Sequence, residues 1–137
     1  NQIAYSYSSS QSVRTIVDAK GIGLDINRAT PIGLIVNEIV TNSFKHAFPP
    51  EFMICRTECE DPCTVGVSLT REDGSFLMKV YDNGIGIPEG FDPLTTRSLG
   101  LKLVNFLAKH QLRAAIEINR KKGTEFVFRF NELDYFG

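Results

Sequence analysis

Along residues 31–47 the apolar positions Ile32, Ile35, Val36, Ile39, Val40 and Ala47 return with a period near that of an α-helix, which predicts a helix with one face on a core. Thr30-Pro31 predicts its start, with Thr30 as N-cap and proline at the first helical position, where its missing amide hydrogen loses no bond. The helix is expected to stop before Pro49-Pro50, and residues 21–29 ahead of it read as a connector. Val13–Val17 reads as a short strand, with residues 1–12 flexible or an edge strand. Downstream, Thr64–Thr70 alternates, with Val65, Val67 and Leu69 on one face, and Arg71-Glu72-Asp73-Gly74 predicts a hairpin turn into a strand at Phe76–Tyr81. Pro88, Gly90 and Pro93 break any period as far as Arg97, so that stretch is a loop. Leu99, Leu103 and Phe106/Leu107 mark a second helix reaching Lys109 or His110. Ala115–Asn119 and Thr124–Phe130 close the chain as a hairpin, with Thr124, Phe126, Phe128 and Phe130 on one side. There is no internal repeat. Strands flanked by a few helices give an α+β class: a mostly antiparallel sheet with helices layered on one face.

Composition narrows the picture only modestly. The 137 residues suit one domain, with 42% hydrophobic and 23% charged residues as in ordinary globular proteins. A formal net charge of −1 gives no field to attract nucleic acid or an acidic membrane, so a ligand must be held by local geometry. No apolar run approaches the roughly 18–20 residues that span a bilayer. The serine-rich opening Asn1–Gln11 is not a signal peptide, and the expectation is a cytoplasmic domain without membrane contact, excised from a soluble or membrane-anchored protein. Cys55, Cys59 and Cys63 are four apart within a segment, 49–63, read as a surface insertion. An odd count without a secretory signal argues against disulfides, and the spacing is not a usual zinc or iron–sulfur pattern, so reduced thiols are favoured over a soft metal.

Chemistry concentrates in three places. Asp82-Asn83-Gly84-Ile85-Gly86-Ile87-Pro88 follows the end of a predicted strand, where a carboxylate beside two glycines suits a buried acceptor and a close backbone approach. On the first helix Glu38, Asn42 and Lys45/His46 fall at i, i+4 and i+7/i+8, one polar stripe. Such a stripe can simply face water; facing a cleft, Glu38 would serve as a base, Asn42 would offer an amide oxygen to a hard cation, and Lys45 and His46 would meet phosphates. Ser98-Leu99-Gly100-Leu101 opens the second helix, where amides and the helix dipole favour an anion. The short stretch 89–98 between the glycine segments reads as a lid, from which Arg97 would reach a phosphate. Together these pieces point to a nucleotide site, although each alone has a purely structural reading.

These residues carry a resemblance. Pro31–Pro49, with Asn37-Glu38, Asn42 and Lys45-His46-Ala47-Phe48, resembles the N box of sensor histidine kinases, and most of all the subgroup whose N box ends Lys-His-Ala-Phe. Val80–Pro88 is similar to their first glycine box, Ser98–Val104 to the second, and Gly123-Thr124-Glu125-Phe126 to the last, in family order from about Leu24 to Phe130. The resemblance implies the Bergerat ATP-binding fold, a two-layer α/β sandwich shared with gyrase, the MutL repair proteins and heat-shock chaperones. It implies that Asp82 accepts the adenine amino group, that Gly84, Gly86 and Ile87 shape the base pocket and that Thr124 supports the Asp82 end. Asn42 would ligate Mg²⁺, Lys45 and His46 would lie near the phosphates of ATP, and the start at Ser98, Leu99, Gly100 and Leu101 would offer amides to them. Departures are Ser98 where a glycine is usual, a lid with Phe91 as its one aromatic residue, and the cysteine segment.

Neither histidine, His46 or His110, sits in a helical hairpin of the phosphoacceptor kind. The resemblance therefore implies a catalytic domain alone, which passes the γ-phosphate of Mg·ATP to a histidine on a separate dimerisation domain of its own protein, with an upstream sensor domain and a response regulator as further partners. Glu38 would then orient or deprotonate the acceptor histidine, with Lys45 and the Mg²⁺ held at Asn42 balancing charge. The alternative is an ATP-hydrolysing conformational switch of the gyrase or chaperone type, in which the glutamate activates water.

Overall fold

The computed structural model describes residues 2–7, 13–19, 22–24, 26–47, 63–87, 99–120 and 123–131. Six strands, β1 (Gln2–Tyr7), β2 (Val13–Asp18), β3 (Thr64–Glu72), β4 (Ser75–Asp82), β5 (Ala115–Asn119) and β6 (Thr124–Asn131), form one sheet in the order β1-β2-β3-β4-β6-β5. All neighbours are antiparallel except β2 and β3. A parallel pair needs a crossover, and helix α1 (Ile26–Asn42) lies within it. Helix α2 (Leu99–Phe106) follows β4, and each helix ends in a π-helical turn, Ser43–Ala47 and Leu107–Gln111.

The alternation read from the sequence becomes the core ladder. Phe76, Met78 and Val80 of β4 stand opposite Phe130, Phe128 and Phe126 of β6, all buried. Above them pack Ile32, Ile35 and Ile39 of α1, and Val104, Leu107, Ala108 and Leu112 from α2 and its turn. The β3–β4 hairpin closes on Asp73-Gly74 with φ of 49° and 82°, two left-handed residues whose twist matches that of the flanking strands. Residues 2–7, expected as flexible or an edge strand, take the second form and pair with β2. No helix among the described residues is long and apolar enough to cross a membrane.

Two expectations need correction, the start of the first helix and the place of Cys63. Helix α1 begins at Ile26 rather than after Thr30, so Thr30 is not its cap and Pro31 lies inside it. The early turn is retained because Arg28 is buried, its guanidinium carbon 5.8 Å from the Phe76 ring and 5.6 Å from that of Phe130. Tertiary packing of a cation on two aromatic faces outweighs the local Thr-Pro signal, and Pro31 forfeits one bond, to the carbonyl of Asn27, close to the helix start. The helix read from Leu99, Leu103 and Phe106/Leu107 is present, but Leu99 is 82% exposed and Phe106 53%, its ring 4.8 Å from that of His110. The face of α2 that packs inward carries Leu101, Val104, Leu107 and Ala108. Cys63 is not a surface thiol but is 3% exposed, packed with Ala47 and Val65. Cys55 and Cys59 lie outside the described residues.

Candidate functional site

The end of β4 meets the end of α1 through a buried hydrogen-bonded carboxylate. Asp82 is 7% exposed. Its Oδ2 accepts the Ser43 hydroxyl at 2.9 Å, and its Oδ1 accepts the backbone amides of Gly84 at 2.9 Å and Thr124 at 3.3 Å. Burial, which penalises the charged form, raises the Asp82 pKa above the ordinary 3.8; the bonds from Gly84, Ser43 and Thr124 pull the other way. A buried carboxyl group fixed by three protein donors is a stiff acceptor aimed from a strand end.

The turn after Asp82 is fastened on two sides. The Asn83 amide donates to the Thr64 carbonyl at 3.1 Å, and the Asn83 side-chain oxygen accepts the Thr64 amide at 2.7 Å. The Ile85 amide donates to the carbonyl of Ala47 at 2.9 Å. Gly84 and Gly123 are required by close backbone approach. A Cβ on Gly84 would run into Ala47, and one on Gly123, at φ 78°, would run into the carbonyl of Asp82 and stand 2.8 Å from Asn83 Cα. Gly86 lies beside Gly123, whose carbonyl would be 3.4 Å from an added Cβ. The position a Cβ on Gly84 would take is thus filled by Ala47; Ile87 closes the described part of the turn, half-buried.

The polar stripe of α1 is partly drawn together with this turn. Glu38 and Asn42 are half-buried, and Glu38 lies against Gly100 in the first turn of α2. Asn42 is the last residue of α1 and adjoins Ser43, so the proposed metal ligand and the Asp82 carboxyl are one residue apart through the Ser43 bond. Lys45, in the π-helical turn, is exposed. A π turn takes one extra residue, so positions after Asn42 do not continue the α-helical stripe. Leu99 projects outward and Leu101 packs on the core, with Gly100 between them. Arg97, Ser98, the lid 89–98 and the side chain of His46 lie outside the described residues. Among the described residues no cluster of three His, Cys, Asp or Glu side chains could hold a metal ion.

Sequence reasoning missed Ser43. A signal was present: Ile35, Ile39, Ser43 and Ala47 follow one another at i+4, which puts a hydroxyl in a core row. A polar group at such a position needs a partner, and Asp82 supplies it.

The sequence matches, over residues 27–134, the family described as Histidine kinase-, DNA gyrase B-, and HSP90-like ATPase. The sensor histidine kinase PdtaS of Mycobacterium tuberculosis is 32% identical over 108 residues, covering 77% of this chain and 20% of that protein. The sensor protein LytS of Bacillus subtilis is 30% identical over 111 residues, covering 69% of this chain and 17% of LytS. The chain spans about a fifth of the length of the curated relatives it matches. In fold it is similar to the histidine kinase domain of the Erythrobacter litoralis EL346 blue-light activated histidine kinase, with a TM-score of 0.70 at 27% identity over 87% of this chain and 50% of that one. The mycobacterial sensor histidine kinase MprB shares the fold at a TM-score of 0.58, over 87% of this chain and 81% of that one.

Proposed function

The chain belongs to the family of histidine kinase-, DNA gyrase B- and HSP90-like ATPases, and on that footing we propose that it binds Mg·ATP and donates the γ-phosphate to a histidine on a separate dimerisation domain of its own protein. The observation that carries this reading is the Asp82 carboxyl, buried at the end of β4 and held by Ser43, Gly84 and Thr124, one residue from Asn42. An acceptor fixed in this way suits the amino group of adenine, and Asn42, half-buried and next to Ser43 in the chain, has an amide oxygen of the kind that suits a hard cation. That donor set fits Mg²⁺, which takes one or two protein oxygens and completes its shell with phosphates and water rather than with a cage of carboxylates. When bound, the ion would neutralise phosphate charge.

The residues of the chain position rather than react. Asp82 orients the base, the turn 83–86 is held rigid by Thr64 and Ala47, and the first turn of α2 offers amides to the phosphates. Phosphoryl transfer needs little covalent work from the protein: the bond to the bridging oxygen of ADP breaks, and a bond from phosphorus to an imidazole nitrogen forms. In this reading Glu38 orients that imidazole or takes its proton. The N box ending Lys45-His46-Ala47-Phe48 supports a place in the corresponding subgroup of sensor kinases, and the protein as a whole would sense a signal upstream and pass the phosphate to a response regulator.

Incubation with γ-labelled ATP tests the reading. The chain alone should carry no acid-labile label, whereas an added dimerisation domain of the same protein should acquire it. Hydrolysis outpacing that transfer would favour the ATP-driven switch instead.

A further inference from the structure

Among the described residues Ser43 supplies the one side-chain bond to the Asp82 carboxyl; the other two come from backbone amides. Its place is set where two periodicities meet. Asp82 continues the inward face of β4 after Phe76, Met78 and Val80, and Ser43 continues the core row of α1 after Ile35 and Ile39. Both groups are buried, Ser43 6% exposed and Asp82 7%, so each needs the other as a partner. The bonds already made then fix what the carboxyl can offer a ligand. An ionised carboxylate has about four acceptor sites and no donor. Oδ1 takes two amides and Oδ2 takes the hydroxyl, so the acceptor site left over lies on Oδ2, the oxygen that Ser43 touches.

This inference rests on the nucleotide site proposed above, with Asp82 at its adenine end. A 6-aminopurine presents an N–H donor to that free site, whereas a 6-oxopurine presents a carbonyl acceptor. Asp82 tells the two apart only while the site stays an acceptor; a proton on it would make it a donor for the oxo base. Burial pushes Asp82 toward the neutral form, and the Ser43 bond pulls it back toward the charged one. A hydroxyl also accepts, so a proton arriving on Oδ2 can turn to Ser43 instead of to the ligand. We propose that Ser43 sets the base specificity of the site: its hydroxyl keeps the free site on Asp82 an acceptor, which selects a 6-aminopurine over a 6-oxopurine. An oxo base would there set acceptor against acceptor, with both left unpaired. Asp82 touches the base; Ser43 acts through it and is a positioning residue.

Titration with ATP, ITP and purine riboside triphosphate, each with magnesium, for the wild type and for Ser43→Ala, Ser43→Cys and Ser43→Thr, tests the proposal. The three ligands share sugar and phosphates and carry an amino group, an oxygen or a hydrogen on the purine. The wild type should bind ATP about tenfold or more tightly than ITP. In Ser43→Ala and Ser43→Cys that ratio should fall about three- to tenfold, as for one weakened hydrogen bond, while purine riboside triphosphate binds all four proteins alike. Cysteine fills the space of serine with a feeble donor, so it separates the lost bond from a cavity and serves if the alanine variant does not fold. Ser43→Thr keeps the hydroxyl and should keep the wild-type ratio. An equal loss for all three nucleotides would overturn the proposal by assigning Ser43 to packing. An unchanged ratio in the alanine and cysteine variants would overturn it too, as would a ratio in folded Ser43→Thr as low as theirs. A wild type that binds ATP and ITP alike would defeat the base selection and leave the nucleotide site standing. One that binds none of the three would sink the nucleotide site itself, and the selection with it.

Discussion

The two ends of the proposed site are built in different ways. At the end of β4 every group is fastened: Asp82 to Ser43, Gly84 and Thr124, Asn83 to Thr64, and Ile85 to Ala47. Two glycines there are fixed by backbone that leaves no room for a Cβ. At the start of α2 the described contacts are few: Leu99 faces solvent, and Gly100 meets a single side chain, Glu38. The first end is preformed and can recognise a rigid base at little ordering cost. The second is tied to the core through Leu101 and Val104 on its inner side, and its outer side carries few described contacts. The two ends thereby sit on different elements, with α1 reaching both.

The strongest way to break the contrast is to damage the fastened end. Gly123→Ala puts a methyl group into the Asp82 carbonyl and demands φ near 78° from a residue that resists it. The loss should be about 3 kcal/mol or more in unfolding free energy, combining backbone strain and overpacking. Urea unfolding would measure it; a loss no larger than that of an ordinary surface substitution would mean that the turn is not packed as described.

A milder change separates charge from structure at the same end. Asp82→Asn keeps the shape and an oxygen for Gly84 and Thr124, but it removes the ionisable group and places a donor where an acceptor is proposed. ATP binding should weaken by about 1–3 kcal/mol. Stability should also lose a pH dependence. Burial favours the neutral form of Asp82 in the folded chain, so its contribution is fully present below about 3.8 and is lost as pH rises through the raised folded value. The asparagine variant, which cannot ionise, should lack that slope. Ser43→Ala removes a bond that favours the charged form and should move the loss to still higher pH, with about 0.5–1.5 kcal/mol of its own cost. Urea midpoints from pH 3.5 to 7 for the three proteins would decide, and coincident slopes would take Asp82 out of the titration.

How much of this was legible beforehand follows the same division. Strand alternation and the Phe126, Phe128, Phe130 face are periodic, local patterns, and β3, β4, β5 and β6 stand where they were read. The α1 start was not legible, because Arg28 acquires its helical conformation from two phenylalanines that are distant in sequence. Asp82 could be singled out from its glycines, but its partner Ser43 lies 39 positions away and is identified only by a polar break in a core row. Sequence singles out Gly84 as a point of close backbone approach, but it cannot show that Ala47 is the neighbour that excludes a Cβ there. The contact of Glu38 with Gly100 needs the relative placement of two helices, which no periodicity encodes.

The smallest effect tests the loosely held end. Leu99→Gln replaces an apolar residue at the first position of α2, where a buried leucine would be worth a few kcal/mol. The structure leaves it 82% exposed, while Val104, Leu107 and Ala108 anchor the helix. The substitution should therefore change unfolding free energy by no more than about 0.5 kcal/mol, as for surface positions in general. A thermal or urea comparison with Val104→Ala, which opens a cavity in the core and should cost about 1–3 kcal/mol, supplies the scale. If the two losses were equal, the first turn of α2 would be as firmly packed as its middle. The difference between the two ends of the site would then disappear.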